Sequence, residues 1–199
     1  RSVLKAQDAC RARMERQAIK FMDEELPSGL RKAADSLGRF VGAQGRDLVF
    51  VDNATAGANA VLRSFPWKRG DRCVMASHAY PAVRFAAERL AAERGFKVVY
   101  AAVPSRVRGP EDITRAYADA LAPRTRLVVT DHIAAPSALV FPVKDITRVA
   151  KAAGARVLVD GAHAPGQIPL DIASLGVDYY TGNLHKWLFA PKGSAFLWA

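Results

Sequence analysis

Residues 126–160, RLVVTDHIAAPSALVFPVKDITRVAKAAGARVLVD, hold two short β-branched runs, Arg126 to Thr130 and Arg156 to Val159, with an amphipathic stretch between them. Pro142 suits the first turn of a helix and Gly154 its end, so the segment reads as strand, helix, strand. Two strands joined by such a crossover run parallel, with the helix lying across one face of the sheet. The alternation extends in both directions. Further strand-like runs fall at Leu48 to Val51, Arg72 to Ala76, Lys97 to Ala101 and Val177 to Thr181, and an Ala-rich helix from about Pro81 ends at Gly95. The pattern predicts an α/β fold, a parallel sheet covered by helices on both faces. Ser194 to Trp198 is a further strand-like run. Ahead of the strands, amphipathic helices are expected over about Val3 to Met22 and Gly29 to Gly42, separated by Pro27 and Ser28.

Composition narrows the class. The chain has 199 residues, 50% of them hydrophobic and 24% charged, enough for one well-cored domain and outside the range of disordered or fibrous chains. It has no run of about 18 uncharged apolar residues and opens on a charged helical stretch, so a soluble, cytoplasmic protein without a membrane partner is expected. The net charge of +10 is dispersed and interleaved with acids, which describes a solvated surface better than the clustered stripe that meets nucleic acid. Cys10 and Cys73 lack metal-ligand spacing and read as plain thiols, and no metal is expected. The chain begins at Arg1 and stops at Ala199 within a strand-like run, and is expected to be a segment of a longer protein.

In an open parallel sheet, ligands bind beyond the carboxyl ends of the strands. The residues there are Asp52 to Gly57, Ser77 to Tyr80, Asp131 to Ser137, Asp160 to His163 and Gly182 to Lys186. The turn DNATAGAN, residues 52–59, puts small residues and Thr55 at a helix N-terminus, where backbone N–H groups suit an anion such as phosphate. By itself the turn equally fits an ordinary cap by Asn53 or Thr55. Asp160 follows the apolar run Val157 to Val159. Lys186 is enclosed by Trp187, Leu188 and Phe189, surroundings that disfavour its charged form and leave a nucleophilic amine. Taken alone, Lys186 also reads as a surface lysine with its stem on apolar neighbours.

Two stretches resemble a known family. Residues 159–198, VDGAHAPGQIPLDIASLGVDYYTGNLHKWLFAPKGSAFLW, are similar to the signature of class V aminotransferases, in the branch resembling isopenicillin N epimerase, and residues 51–65, VDNATAGANAVLRSF, match the same branch. The resemblance implies the large domain of fold type I enzymes dependent on pyridoxal 5'-phosphate (PLP), a three-layer α/β/α arrangement around a mixed, mostly parallel sheet with Ser194 to Trp198 as an antiparallel strand, with residues 1–199 forming part of that domain and a small C-terminal domain outside this chain. It implies that Lys186 forms the Schiff base and that Asp160 partners the pyridine nitrogen. His163 falls where the family directs a side chain at the phenolic oxygen. Ala54, Thr55, Asn183 and His185 fall where it grips the phosphate, although His185 also reads as a core histidine. For the ring stacked on the cofactor the candidates are Tyr80 and His78, and Tyr80 is preferred for its contact area. One departure is Ala135, where relatives carry a Ser or Asn; Ser137, or His163 alone, is the expected substitute.

The implied activity is PLP-dependent chemistry at the α-carbon of an amino acid or related amine, in a homodimer whose partner subunit contributes a phosphate contact. Epimerisation, transamination and carbon–sulfur cleavage, as in a cysteine desulfurase or C–S lyase, all stay open from the sequence. A non-catalytic binding protein that retains the fold is the alternative of a different class, and the intact pair Lys186 and Asp160 speaks against it.

Overall fold

The computed structural model describes residues 1–199. A helical arm opens the chain: α1 (Ser2–Arg16), the short α2 (Ala18–Lys20), a π-helical turn over Phe21–Glu25, and α3 (Leu26–Val41). The expected break at Pro27 and Ser28 does not occur. Pro27 follows directly on the π turn, at the start of α3, and although it donates no hydrogen bond, the Leu26 N–H before it reaches back five residues to the Phe21 carbonyl and the backbone stays helical through both residues.

The alternating units follow: β1 (Leu48–Val51), α4 (Ala54–Ser64), β2 (Arg72–Ala76), α5 (Pro81–Arg94), β3 (Lys97–Ala101), α6 (Pro110–Ala120), β4 (Thr125–Asp131), α7 (Val143–Ala152), β5 (Arg156–Asp160), α8 (Ile172–Leu175), β6 (Tyr179–Asn183) and β7 (Ala195–Trp198). They form one seven-stranded sheet in the order β1-β7-β6-β5-β4-β2-β3. β2 through β6 pair in parallel, and β7 is antiparallel to both β6 and β1. Six strands match their expected residues to within one position. β6 lies two residues later than expected: Val177 and Asp178 lead into it, and the Asp178 carboxylate instead accepts the Val157 N–H at 2.8 Å.

Strand periodicity builds the three layers. On β2, Val74 and Ala76 join a core with α3, α6, α7 and α8, while Cys73 and Met75 point into a second core with α4 and α5. On β5, Val157 and Val159 face the first core and Leu158 the second. Both sheet faces are therefore covered, and the parallel strand tips are left to carry polar groups. Asp131 and Asp160 are register partners at the ends of β4 and β5, and Thr181 of β6 pairs with Asp160. α4 is drawn tightly onto this edge. A Cβ on Gly57 would collide with Thr181 Oγ1, so only glycine permits the helix N-terminus to come down beside β6.

Candidate active site

A cavity of about 380 Å³ opens beyond these strand tips. Seven of the eight residues expected there line it: Thr55, Tyr80, Asp160, His163, Asn183, His185 and Lys186. Asn53, Asp131, Ile133, Ala135 and Ala162 complete most of the wall.

Asp160 is only 5% exposed, and its Oδ1 accepts the Ala162 N–H at 3.0 Å. Burial raises its pKa, opposed by that hydrogen bond and by the charge of Lys186. Asp131 is equally buried, and burial together with the charge of Asp160 pushes its carboxyl well up. Neither carboxylate has a Lys, Arg or His nitrogen within ion-pair distance, although eight other acidic side chains do. A buried carboxylate without a cation calls for a positively charged or proton-bearing group in the cavity.

Lys186 leaves the loop after β6, half-buried, with Nζ 2.9 Å from Nε2 of His163. Burial lowers its pKa and Asp160 partly opposes this, so the amine loses its proton more readily than a free lysine. Desolvation, then the charge of Lys186, also lowers the pKa of His163. The other ring nitrogen of His163, Nδ1, accepts a hydrogen bond from the Trp187 indole at 3.2 Å.

The N-terminus of α4 also borders the cavity, through Asn53 and Thr55. Asn53 caps it by accepting the Ala56 N–H at 2.8 Å, and the Gly57 N–H bonds to the Asn53 carbonyl. The Ala54 N–H is taken by Asn183 Oδ1 at 2.9 Å. Of these first four amides, that of Thr55 makes no hydrogen bond within the chain and is available to an anion. Ala54, by contrast, is buried, lies off the cavity wall, and has its amide engaged in the tie to β6. His185 is held through Nδ1, 2.8 Å from the Ser194 carbonyl oxygen, which leaves Nε2 as its free nitrogen.

Tyr80, 43% exposed at the start of α5, borders the cavity, whereas His78 does not. Ala135 reaches the wall without a polar side-chain atom, and Ser137 is exposed and outside it, so of the two expected substitutes for that contact, Ser137 and His163, only His163 lies on the wall. Neither cysteine lines the site, and burial pushes the Cys73 thiol up to about 12. Sequence reading left Asp131 among the strand-end residues without a role and missed the Trp187 bond. An acid closing an apolar run, as in Leu127 to Asp131, was the available signal for the first; nothing in the one-dimensional pattern marks the second.

A buried carboxylate and a desolvated amine at neighbouring strand tips, with an open helix amide nearby, in this three-layer sheet, define the large-domain fold of fold type I enzymes. The chain belongs to the aminotransferase class V family, whose model matches residues 6–199. It is 33% identical over 197 residues to isopenicillin N epimerase of Streptomyces clavuligerus, covering 99% of this chain and 50% of that protein. It is also 33% identical to the putative L-cysteine desulfhydrase 2 of Oryza sativa subsp. japonica, over 95% of this chain and 44% of that protein. Among solved structures, the cystine C–S lyase C-DES in complex with its product cysteine persulfide superposes with a TM-score of 0.87 at 28% identity, over 98% of this chain and 53% of that one. A lysine-to-alanine mutant of C-DES, with glycine covalently linked to its PLP cofactor, gives 0.84 at 27% identity, over 98% and 52%. The chain spans about half the length of these relatives.

Proposed function

We propose that this chain is the cofactor-binding domain of a PLP-dependent enzyme that breaks a bond at the α-carbon of an amino acid or related amine, in the manner of its isopenicillin N epimerase-like relatives. The observation that carries the reading is the sharing of one cavity by Asp160, buried without a cationic partner, and Lys186, a half-buried amine. The residues present fit PLP. Asp160 would meet the protonated ring nitrogen, Lys186 would attach the cofactor, and the Thr55 amide with His185 would take the phosphate. Tyr80 would cover the ring face, and His163 would reach the phenolic oxygen.

When bound, PLP supplies an electron sink for the pair left behind when a bond to the α-carbon breaks. The carboxylate of Asp160 would hold a proton on the ring nitrogen, which would strengthen that sink. Nζ of Lys186, whose charged form burial disfavours, would take the α-proton as general base. Burial matters here, because an ordinary lysine is almost wholly protonated near neutrality and an ammonium cannot act as base.

A second reading, C–S bond cleavage, draws on the C-DES and desulfhydrase relatives. Within this chain it would run without a sulfur-accepting cysteine, since Cys10 and Cys73 are both away from the cavity. The same proposal takes the protein as a cytoplasmic homodimer, with the small domain supplying the arginine that holds the substrate carboxylate. No helix of the chain is long and apolar enough to cross a membrane.

The test is to incubate the full-length protein, PLP and a panel of amino acids in deuterated water. Deuterium at an inverted α-carbon supports epimerisation, keto acid without sulfide supports transamination, and sulfide release supports lyase chemistry. No exchange and no product from any member of the panel would contradict the proposal.

A further inference from the structure

The contact between His163 and Trp187 constrains where a proton can sit. Indole Nε1–H is a donor with no acceptor capacity, so the His163 Nδ1 that it meets at 3.2 Å must be bare. A neutral imidazole then carries its proton on Nε2, the nitrogen 2.9 Å from Lys186 Nζ. An Nε2–H can donate to Nζ only if the amine has a lone pair to offer. A lysine ammonium would have to donate to Nε2, which moves the imidazole proton to Nδ1 and sets it against the indole N–H.

The two loops that make this contact are held in place independently of it. The His163 carbonyl accepts from Gln167 Nε2 at 2.9 Å. Gly166, at φ 88°, brings the chain so close to Trp187 that a Cβ there would stand 2.7 Å from the Trp187 carbonyl oxygen. Trp187 is 44% exposed, so its ring is not primarily a core element.

We propose that Trp187 is a positioning residue: by donating to Nδ1 of His163 it fixes the imidazole proton on Nε2 and so presents Lys186 with a donor that only a neutral amine accepts. The same tautomer makes His163 a donor on its Nε2 side, which suits an anionic oxygen such as the phenolate of PLP. The inference rests on Lys186 being the amine that attaches the cofactor. Other titratable groups around the amine are Asp160, Asp131 and His185 on the cavity wall, with Lys192 in the adjoining groove of about 510 Å³ that Lys186 and Trp187 also line. Replacing Trp187 leaves all of them in place, so a change in the lysine's behaviour reports the tautomer.

The experiment compares the parent protein with Trp187→Phe and with a variant carrying the benzothienyl isostere of Trp187, which keeps the ring shape and lacks the N–H. In cofactor-free protein labelled with ¹⁵N-histidine, the His163 signals are assigned by their loss in His163→Gln. The parent should show the Nε2–H tautomer, and both variants a mixture of the two. The pH midpoint for the rate of PLP attachment to Lys186 should rise by about 0.4 to 1 unit in both variants, the worth of one neutral hydrogen bond. The isostere keeps the test decisive if the Phe variant folds poorly. An unchanged tautomer, or an unchanged midpoint, overturns the proposal. If PLP attaches to no lysine of the parent while the Nε2–H tautomer is seen, the cofactor reading has failed and the assignment of Trp187 as regulator of Lys186's attachment falls with it; a tautomer shift with normal attachment in the parent isolates the role of Trp187.

Discussion

Replacing Asp160 with Asn preserves the shape of the side chain and removes its charge, and the protein with and without cofactor should respond in opposite directions. Asn offers the same carbonyl oxygen to the Ala162 N–H, so the 3.0 Å hydrogen bond survives. Without cofactor, the folded state holds the Asp160 proton more tightly than the unfolded chain does, because burial raises its pKa. Stability therefore falls as pH rises from the unfolded carboxyl value of about 3.9 through the raised folded value, and is lower by a constant amount above it. The Asn variant escapes that loss, so its melting temperature relative to the parent should climb between pH 4 and pH 8. With PLP the sign reverses. The variant loses a hydrogen bond to a charged partner, worth about 1.5 to 3 kcal/mol, and PLP should bind roughly 10- to 150-fold more weakly. Thermal melts across pH without cofactor, and a PLP titration followed by absorbance, measure the two effects. A variant that retains PLP as tightly as the parent would refute the pairing of Asp160 with the ring nitrogen, and a melting difference flat with pH would refute the burial argument.

Other substitutions probe the frame of the site. Gly57→Ala would gain about 1 kcal/mol in an exposed helix, but the collision of its Cβ with Thr181 Oγ1 should reverse the sign, with a net loss of about 1 to 3 kcal/mol in a denaturant titration. Asn183→Ala leaves the buried Ala54 N–H without its acceptor and should cost about 1 to 3 kcal/mol, lowering the melting temperature by roughly 2 to 4 °C per kcal/mol. Cys73, with its thiol pushed up to about 12, should resist iodoacetamide in the folded protein at pH 8, while the more accessible Cys10 is alkylated; peptide mapping by mass spectrometry distinguishes the two.

The strand–helix alternation was legible because parallel strands covered on both faces are continuous apolar runs, such as Val157 to Val159, set off by helices with Pro and Gly at their ends. Pro27 misled because a proline marks a break in most sequence contexts, whereas here it follows a π turn that is invisible in the pattern and the chain stays helical through it. Strand β6 was displaced because Val177 has the look of a strand residue, whereas Asp178 is used to satisfy the Val157 N–H from outside the ladder. At the site, Asp160 and Lys186 could be found from strand-end position and family resemblance together. Which amides were already spent could not. The Ala54 N–H is consumed by Asn183, 129 positions away in sequence, and only the folded chain shows that Thr55 is the free donor. The indole that meets His163 across the two loops is hidden for the same reason.

The claim on which all of this turns is that Lys186 carries the cofactor. Full-length protein incubated with PLP, reduced with borohydride and digested should yield one pyridoxyl-phosphate-modified peptide, bearing the label on Lys186, and Lys186→Ala should yield none. Label on a different lysine, or an undiminished label in the Ala variant, would contradict it.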